Sequence, residues 1–157
     1  MSNKLPLLSQ ASVYERDWLL DSSPYKSGVY AGEILAEIIL TNGLLNRTFR
    51  VTPNAATVGF DNLVTGASIV RGVKPEASVV VDGASYDIGG LVGQEEYAYL
   101  RREWIDGFAS DPAAFQFVDF AVGETQAPFA WKRVRPCPDL PWPPPGVRLT
   151  LNFVGPQ

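Results

Sequence analysis

Glu33-Ile-Leu-Ala-Glu-Ile-Ile-Leu-Thr41, then Asn42-Gly43, then Leu44-Leu-Asn-Arg-Thr-Phe-Arg-Val-Thr52: this stretch decides the fold. Asn-Gly accepts positive φ at both central positions of a type I′ turn, and the twist of that turn matches the twist of paired strands. The spacing therefore predicts an antiparallel hairpin. On its return strand Leu45, Arg47, Phe49 and Val51 share one face, and Asn46, Thr48 and Arg50 the other. A helical pattern competes over the first limb, where Ile34, Leu35, Ile38 and Ile39 also share a helix face and Gly43 could end it. The run is short, rich in isoleucine and closed by the strongest hairpin dipeptide. The strand reading is adopted.

Working outward, Pro53-Asn54 turns the chain into a strand at 56–60 that closes at Asp61-Asn62, and a short strand follows at 67–71. Residues 77–81 and 84–88 form a further hairpin across Asp82-Gly83, the other favoured type I′ pair. Gly89-Gly-Leu-Val-Gly93 resembles a phosphate-cradling run only superficially, since no Lys-Ser/Thr follows it. It is expected to be a flexible connection. Residues 95–106 are briefly helical in pattern, with Leu100, Trp104 and Phe108 at fourfold spacing. Asp111 and Pro112 suit the N-cap and first position of a second helical turn. Residues 115–122 alternate with apolar side chains on both faces, which predicts a strand buried on both sides or lying under the helical insertion. Residues 127–146 form a proline-rich strap of extended, polyproline-like character. Residues 147–154 make a clean last strand with Val147, Leu149, Leu151 and Phe153 on one face.

The expected fold is all-β, mainly an antiparallel β-sandwich, with a short helical insertion around residues 100–115 and the proline strap at 127–146. Residues 1–30 read as an N-terminal strap, held to the sandwich by Trp18, Leu19 and Leu20, and residues 31–157 as a single domain.

Composition bounds the function. The 157 residues are 46% apolar and 19% charged, as in an ordinary globule able to bury a core. A net charge of −4 speaks against nucleic acid, which calls for a basic stripe; Lys132, Arg133 and Arg135 make only a small cationic group. The chain has no histidine, so no Ser-His-Asp or Cys-His nucleophile and no His-ligated metal is available. The single cysteine, Cys137, excludes an intrachain disulfide, a thiolate zinc site and a redox pair, and reads as a passive loop thiol. No cofactor and no metal are expected. The N-terminus lacks an apolar run of signal-peptide length and no segment approaches a membrane span, so the chain reads at face value as cytoplasmic.

Five phrases taken together carry a family resemblance: Asn42-Gly-Leu-Leu-Asn-Arg-Thr-Phe49, Phe60-Asp-Asn-Leu-Val-Thr-Gly66, Arg71-Gly-Val-Lys-Pro-Glu-Ala77, Asp111-Pro-Ala-Ala-Phe115 and Trp142-Pro-Pro-Pro-Gly146. They resemble the N-terminal β-sandwich region of large bacterial proteins related to α-galactosidase-like glycoside hydrolases. There an NGLxxRxF-type hairpin opens a supersandwich placed before a catalytic (β/α)8 barrel. The resemblance covers most of residues 30–154 and consists of hairpin and loop phrases, with no catalytic signature. It implies a non-catalytic accessory domain corresponding to the N-terminal part of a larger protein, and no catalytic residue carries over.

Two other roles remain open beside it: a free-standing carbohydrate-binding module and a small structural or interaction domain. The candidate sugar contacts are Tyr97, Tyr99, Trp104, Trp131 and Trp142, which lie outside the regular strands. Exposed rings of this kind stack on the apolar face of a sugar, whereas the plainer reading has them packing the insertion and strap onto the sheet. Hydrolysis needs two carboxylates facing one another across a glycosidic bond. Of the acidic residues, Asp61, Asp82 and Asp111 are explained more simply as turn or cap residues and Glu95-Glu96 as a solvated face. Carbohydrate is one expected partner. The edge of the last strand, Val147–Val154, is expected to pair with a second copy or with the remainder of a larger protein.

Overall fold

The computed structural model describes residues 4–11, 16–34, 36–95, 98–132, 134–136 and 140–156. Among the described residues nine strands alternate with turns and irregular segments: β1 (Gly28–Ala31), β2 (Glu37–Thr41), β3 (Leu45–Arg50), β4 (Ala56–Asn62), β5 (Ala67–Val70), β6 (Ala77–Val81), β7 (Ala84–Ile88), β8 (Gln116–Glu124) and β9 (Val147–Val154). β1 to β5 form one antiparallel sheet in sequence order, while β6–β7 and β8–β9 are two-stranded ribbons. The all-β reading holds. The sheet begins at Gly28, before the point at which the strap was expected to end.

The decisive hairpin is β2–β3, in the register Glu37↔Arg50 through Thr41↔Asn46. Two details differ from the sequence reading. Residues 33 and 34 are bends and the strand starts only at Glu37, whose N–H donates to the Ile34 carbonyl at 3.0 Å; Leu35 lies outside the described residues. The Asn42-Gly43 turn is not type I′, because Gly43 (φ 82) has positive φ and Asn42 does not. Asn42 instead uses its side chain, Oδ1 accepting from the N–H groups of Leu44 (3.0 Å) and Leu45 (2.9 Å). That local bond gives asparagine an alternative to left-handed backbone. At Asp82-Gly83 both residues do have positive φ (51 and 83), as the type I′ reading requires.

Each face of the main sheet carries its own cover. Val29, Ile38 and Phe49 pack under the β8–β9 ribbon against Phe120, Val147, Leu149 and Leu151, with Leu5 and Val51 at the margin. On the other side Ala56 and Val58 of β4 pack with Val73, Leu91, Leu100 and Ile105, and Phe108 joins them. This second core is what the insertion supplies: a 3-10 helix at Arg102–Gly107 followed by a single turn at 111–114, in which Asp111 Oδ1 accepts from the Ala113 N–H at 2.9 Å. Glu76 fastens the β6–β7 ribbon to the sheet, accepting from Thr57 Oγ1 at 2.7 Å and from Arg47 Nη2 at 2.6 Å.

Three further expectations are corrected. β8 is not buried on both sides: Val118 and Ala121 are exposed, because the ribbon is an outer layer with its second face to solvent. Trp18, Leu19 and Leu20 do not hold the N-terminal strap; all three are exposed. The strap is fastened by Leu5 in the core and by the Ala31 N–H, which donates to the Pro6 carbonyl at 2.8 Å. Finally, the glycine run is no flexible connection. Gly89 and Gly90 are buried, with φ of 70 and 91, and the Gly90 N–H donates to the Ala55 carbonyl at 2.7 Å.

Candidate functional site

The proline-rich strap leaves β8 and returns to β9, so its two ends are held by the same ribbon. Thr125 Oγ1, just past β8, donates to the Pro144 carbonyl at 2.8 Å, and Arg148 of β9 donates to the Gln126 side chain. Proline fixes φ and removes donors, so such a segment cannot join a sheet and projects its side chains outward. Trp142 is the centre of the projection. Its ring centroid lies 5.5 Å from that of Phe129 and 5.7 Å from that of Trp131, tilted by 42° and 43°. Trp142 Nε1 donates to the Phe129 carbonyl at 3.2 Å, which fixes one edge of the indole.

None of the three rings belongs to either core. Phe129 is 59%, Trp131 48% and Trp142 41% exposed, so the rings support one another without being covered. Exposed apolar surface gathered in one place marks a binding surface more often than scattered exposed residues do. Trp131 and Phe129 thus pack against Trp142 and into neither core. Phe129 was missed at the sequence level, although it stands two residues before Trp131 in the same strap.

The other candidate rings do not join this group. Trp104 sits on the 3-10 helix with the Arg101 guanidinium 5.5 Å from its ring centroid, beside a shallow hollow of about 410 Å³ formed with Gly93, Glu95, Glu103 and Phe108. Tyr99 is exposed at the rim of a separate cleft. Tyr97 lies outside the described residues.

That cleft, about 480 Å³, is lined by charged groups, among them Glu37, Asp61, Arg71 and Arg102. Asp61 pairs with Arg71 at 2.5 Å. Glu37, buried on β2, accepts from Arg102 Nη2 at 2.6 Å through Oε2, while Oε1 is buried without a hydrogen-bond partner among the described residues. Arg50, its cross-strand neighbour, reaches Asp106 at 2.5 Å. The pairs Glu37–Arg102 and Arg50–Asp106 clamp the 3-10 helix onto the sheet. Burial pushes the Glu37 carboxyl above its usual range, against the opposing pull of Arg102 and Arg50. A raised folded-state value means stability fully present below the ordinary carboxylate range and lost as pH rises through the raised one. On acidification from neutrality the wild type should therefore gain stability relative to Glu37→Gln. Urea unfolding of both proteins across pH 4 to 8 measures the gap, and a gap that is constant or closes the other way excludes this account.

Comparison with protein-family models, with curated proteins and with solved structures finds no match to this chain. No helix among the described residues is long and apolar enough to cross a membrane.

Proposed function

We propose that this chain is a non-catalytic accessory β-sandwich domain of a carbohydrate-active protein, and that it meets saccharide through Phe129, Trp131 and Trp142. The observation that carries this reading is the trio of mutually supporting rings held outside both cores on a strap anchored at each end. An indole face stacks on the C–H face of a pyranose, and a ring already held in place gives up little freedom when it does so. The hairpin and loop phrases resembling the region before a glycoside hydrolase barrel support the same assignment. So does the chemistry of the strap, which offers apolar faces and no paired carboxylates.

Tryptophan fluorescence during titration with a panel of soluble oligosaccharides tests it. A saturable shift is expected with at least one glycan. Trp142→Ala, at an exposed position, should keep the fold and weaken that binding by at least about tenfold, or about 1.4 kcal/mol. The purified chain should hydrolyse no aryl glycoside. A shift that persists in both Trp142→Ala and Trp131→Ala, or none across the panel, overturns the reading.

A further inference from the structure

Among the described residues β9 presents an open, unbulged edge of eight residues, whereas the outer edge of β8, one residue longer, is broken by the bulge between Phe117 and Asp119, carries Asp119 and Glu124, and has the Phe117 N–H taken by Asn54. All eight residues lie beside β8, in a register from Gln116↔Val154 to Glu124↔Val147, and no other strand flanks them. In an antiparallel pair alternate residues turn both N–H and C=O away from the partner strand. On β9 those outward groups make no backbone hydrogen bond among the described residues. Proteins usually blunt such an edge with charge, proline, a bulge or a covering segment. The edge of β1 is covered where Leu7 pairs with Ala31, and β5 has only four residues. On β9 the sole charge is Arg148, no proline interrupts residues 147–154, and the bulge of the ribbon lies in β8, between Phe117 and Asp119.

We propose that β9 is a self-pairing edge through which two copies of this chain associate about a two-fold axis, forming one continuous antiparallel sheet β8–β9–β9–β8. The strand's own pattern selects a copy of itself. Val147, Leu149, Leu151 and Phe153 face inward, and Arg148, Thr150, Asn152 and Val154 outward. Residues directly opposite in an antiparallel pair share a face, so a partner strand must match inward with inward. A copy satisfies this when the two-fold passes through Thr150 or through Leu151. In the first case Arg148 stands opposite Asn152 of the other copy, and in the second opposite Val154. Neither register sets like charges against one another. In both, the inward apolar face continues from one copy to the next, and Thr150 of one copy lies opposite or diagonal to Thr150 of the other.

That last relation gives a test that only self-pairing passes. Thr150→Lys and Thr150→Glu each place like charges against their own copies, while a mixture of the two places opposite charges together. Sedimentation equilibrium of the wild-type chain should show a concentration-dependent dimer. Each variant alone should dissociate at least about tenfold more readily, and an equimolar mixture should recover the dimer as a heterodimer. Amide exchange offers a readout without substitution: protection of alternate amides in Val147–Val154 should rise with protein concentration. A wild type that stays monomeric at high micromolar concentration overturns the proposal. So does a dimer indifferent to both variants, a mixture no better than its components, or exchange independent of concentration.

Discussion

Gly89→Ala is expected to cost at least about 3 kcal/mol, a large share of the stability of a domain this size. Gly89 has φ 70, in the left-handed region where a Cβ costs about 1 kcal/mol on its own. The larger effect is steric. A Cβ there would stand 2.3 Å from the Ala55 carbonyl oxygen and 3.2 Å from the Phe153 ring. Backbone cannot yield as a flexible side chain does. The Ala55 oxygen is also held in place, since it accepts the Gly90 N–H at 2.7 Å, and the Gly89 N–H donates to the Phe115 carbonyl at 3.1 Å. Gly83 is the control: its φ is 83 and nothing lies within 4 Å of its added Cβ. Gly83→Ala should show the conformational cost alone, about 1 kcal/mol. Urea unfolding of the two variants side by side separates the terms. Equal losses would show that the close approach to Ala55 contributes nothing.

The misreading of that glycine run shows what a single sequence makes legible. Hairpins are local: a turn dipeptide and alternating side chains a few residues apart announce β2–β3 and β6–β7, and the structure has both. Alternation tells which residues share a face. It does not tell what covers that face, because the covering segment comes from elsewhere in the chain. Residues 115–122 were therefore expected to be buried on both sides or to lie under the helical insertion, whereas Val118 and Ala121 of β8 face solvent. The glycines failed for the same reason. Read alone, Gly89-Gly90 is loose chain; beside Ala55, more than thirty residues away, it is the only residue type that fits. Glu37, for which the sequence offers no specific role, is a buried carboxylate clamped by Arg102. At the candidate site, Trp131 and Trp142 stood out because no strand explained them. Their contact through Trp142, and the part of Phe129 in it, depended on how the strap folds back on itself. Trp104 and Tyr99 had the same signature in sequence and fell elsewhere.

Asn54→Ala is the second large expected loss, again about 3 kcal/mol. Pro53-Asn54 is readable as a turn, but the asparagine does much more than turn the chain. Its side chain is fully buried and makes three hydrogen bonds: Oδ1 accepts the N–H of Ala55 at 2.9 Å and of Phe117 at 2.8 Å, and Nδ2 donates to the Phe115 carbonyl at 3.0 Å. It thus joins the β3–β4 turn to the start of β8, on which the ribbon and the strap both depend. Alanine would leave the Ala55 and Phe117 N–H groups without this partner, and leaving a buried polar group unsatisfied costs more than an average hydrogen bond contributes. Asn54→Asp tests the chemistry more finely. A carboxylate can accept both N–H groups but cannot donate to the Phe115 carbonyl, and its charge is buried. That variant should be destabilised at neutral pH and recover part of the loss on acidification, when the protonated acid regains a donor. Because the Phe115 carbonyl also accepts from the Gly89 N–H, the two junction sites share a partner. The double variant Asn54→Ala with Gly89→Ala should accordingly lose less than the sum of the single losses, by at least about 0.5 kcal/mol. Strict additivity in that cycle would mean that the β3–β4 turn, the end of β7 and the start of β8 meet at Phe115 without depending on one another.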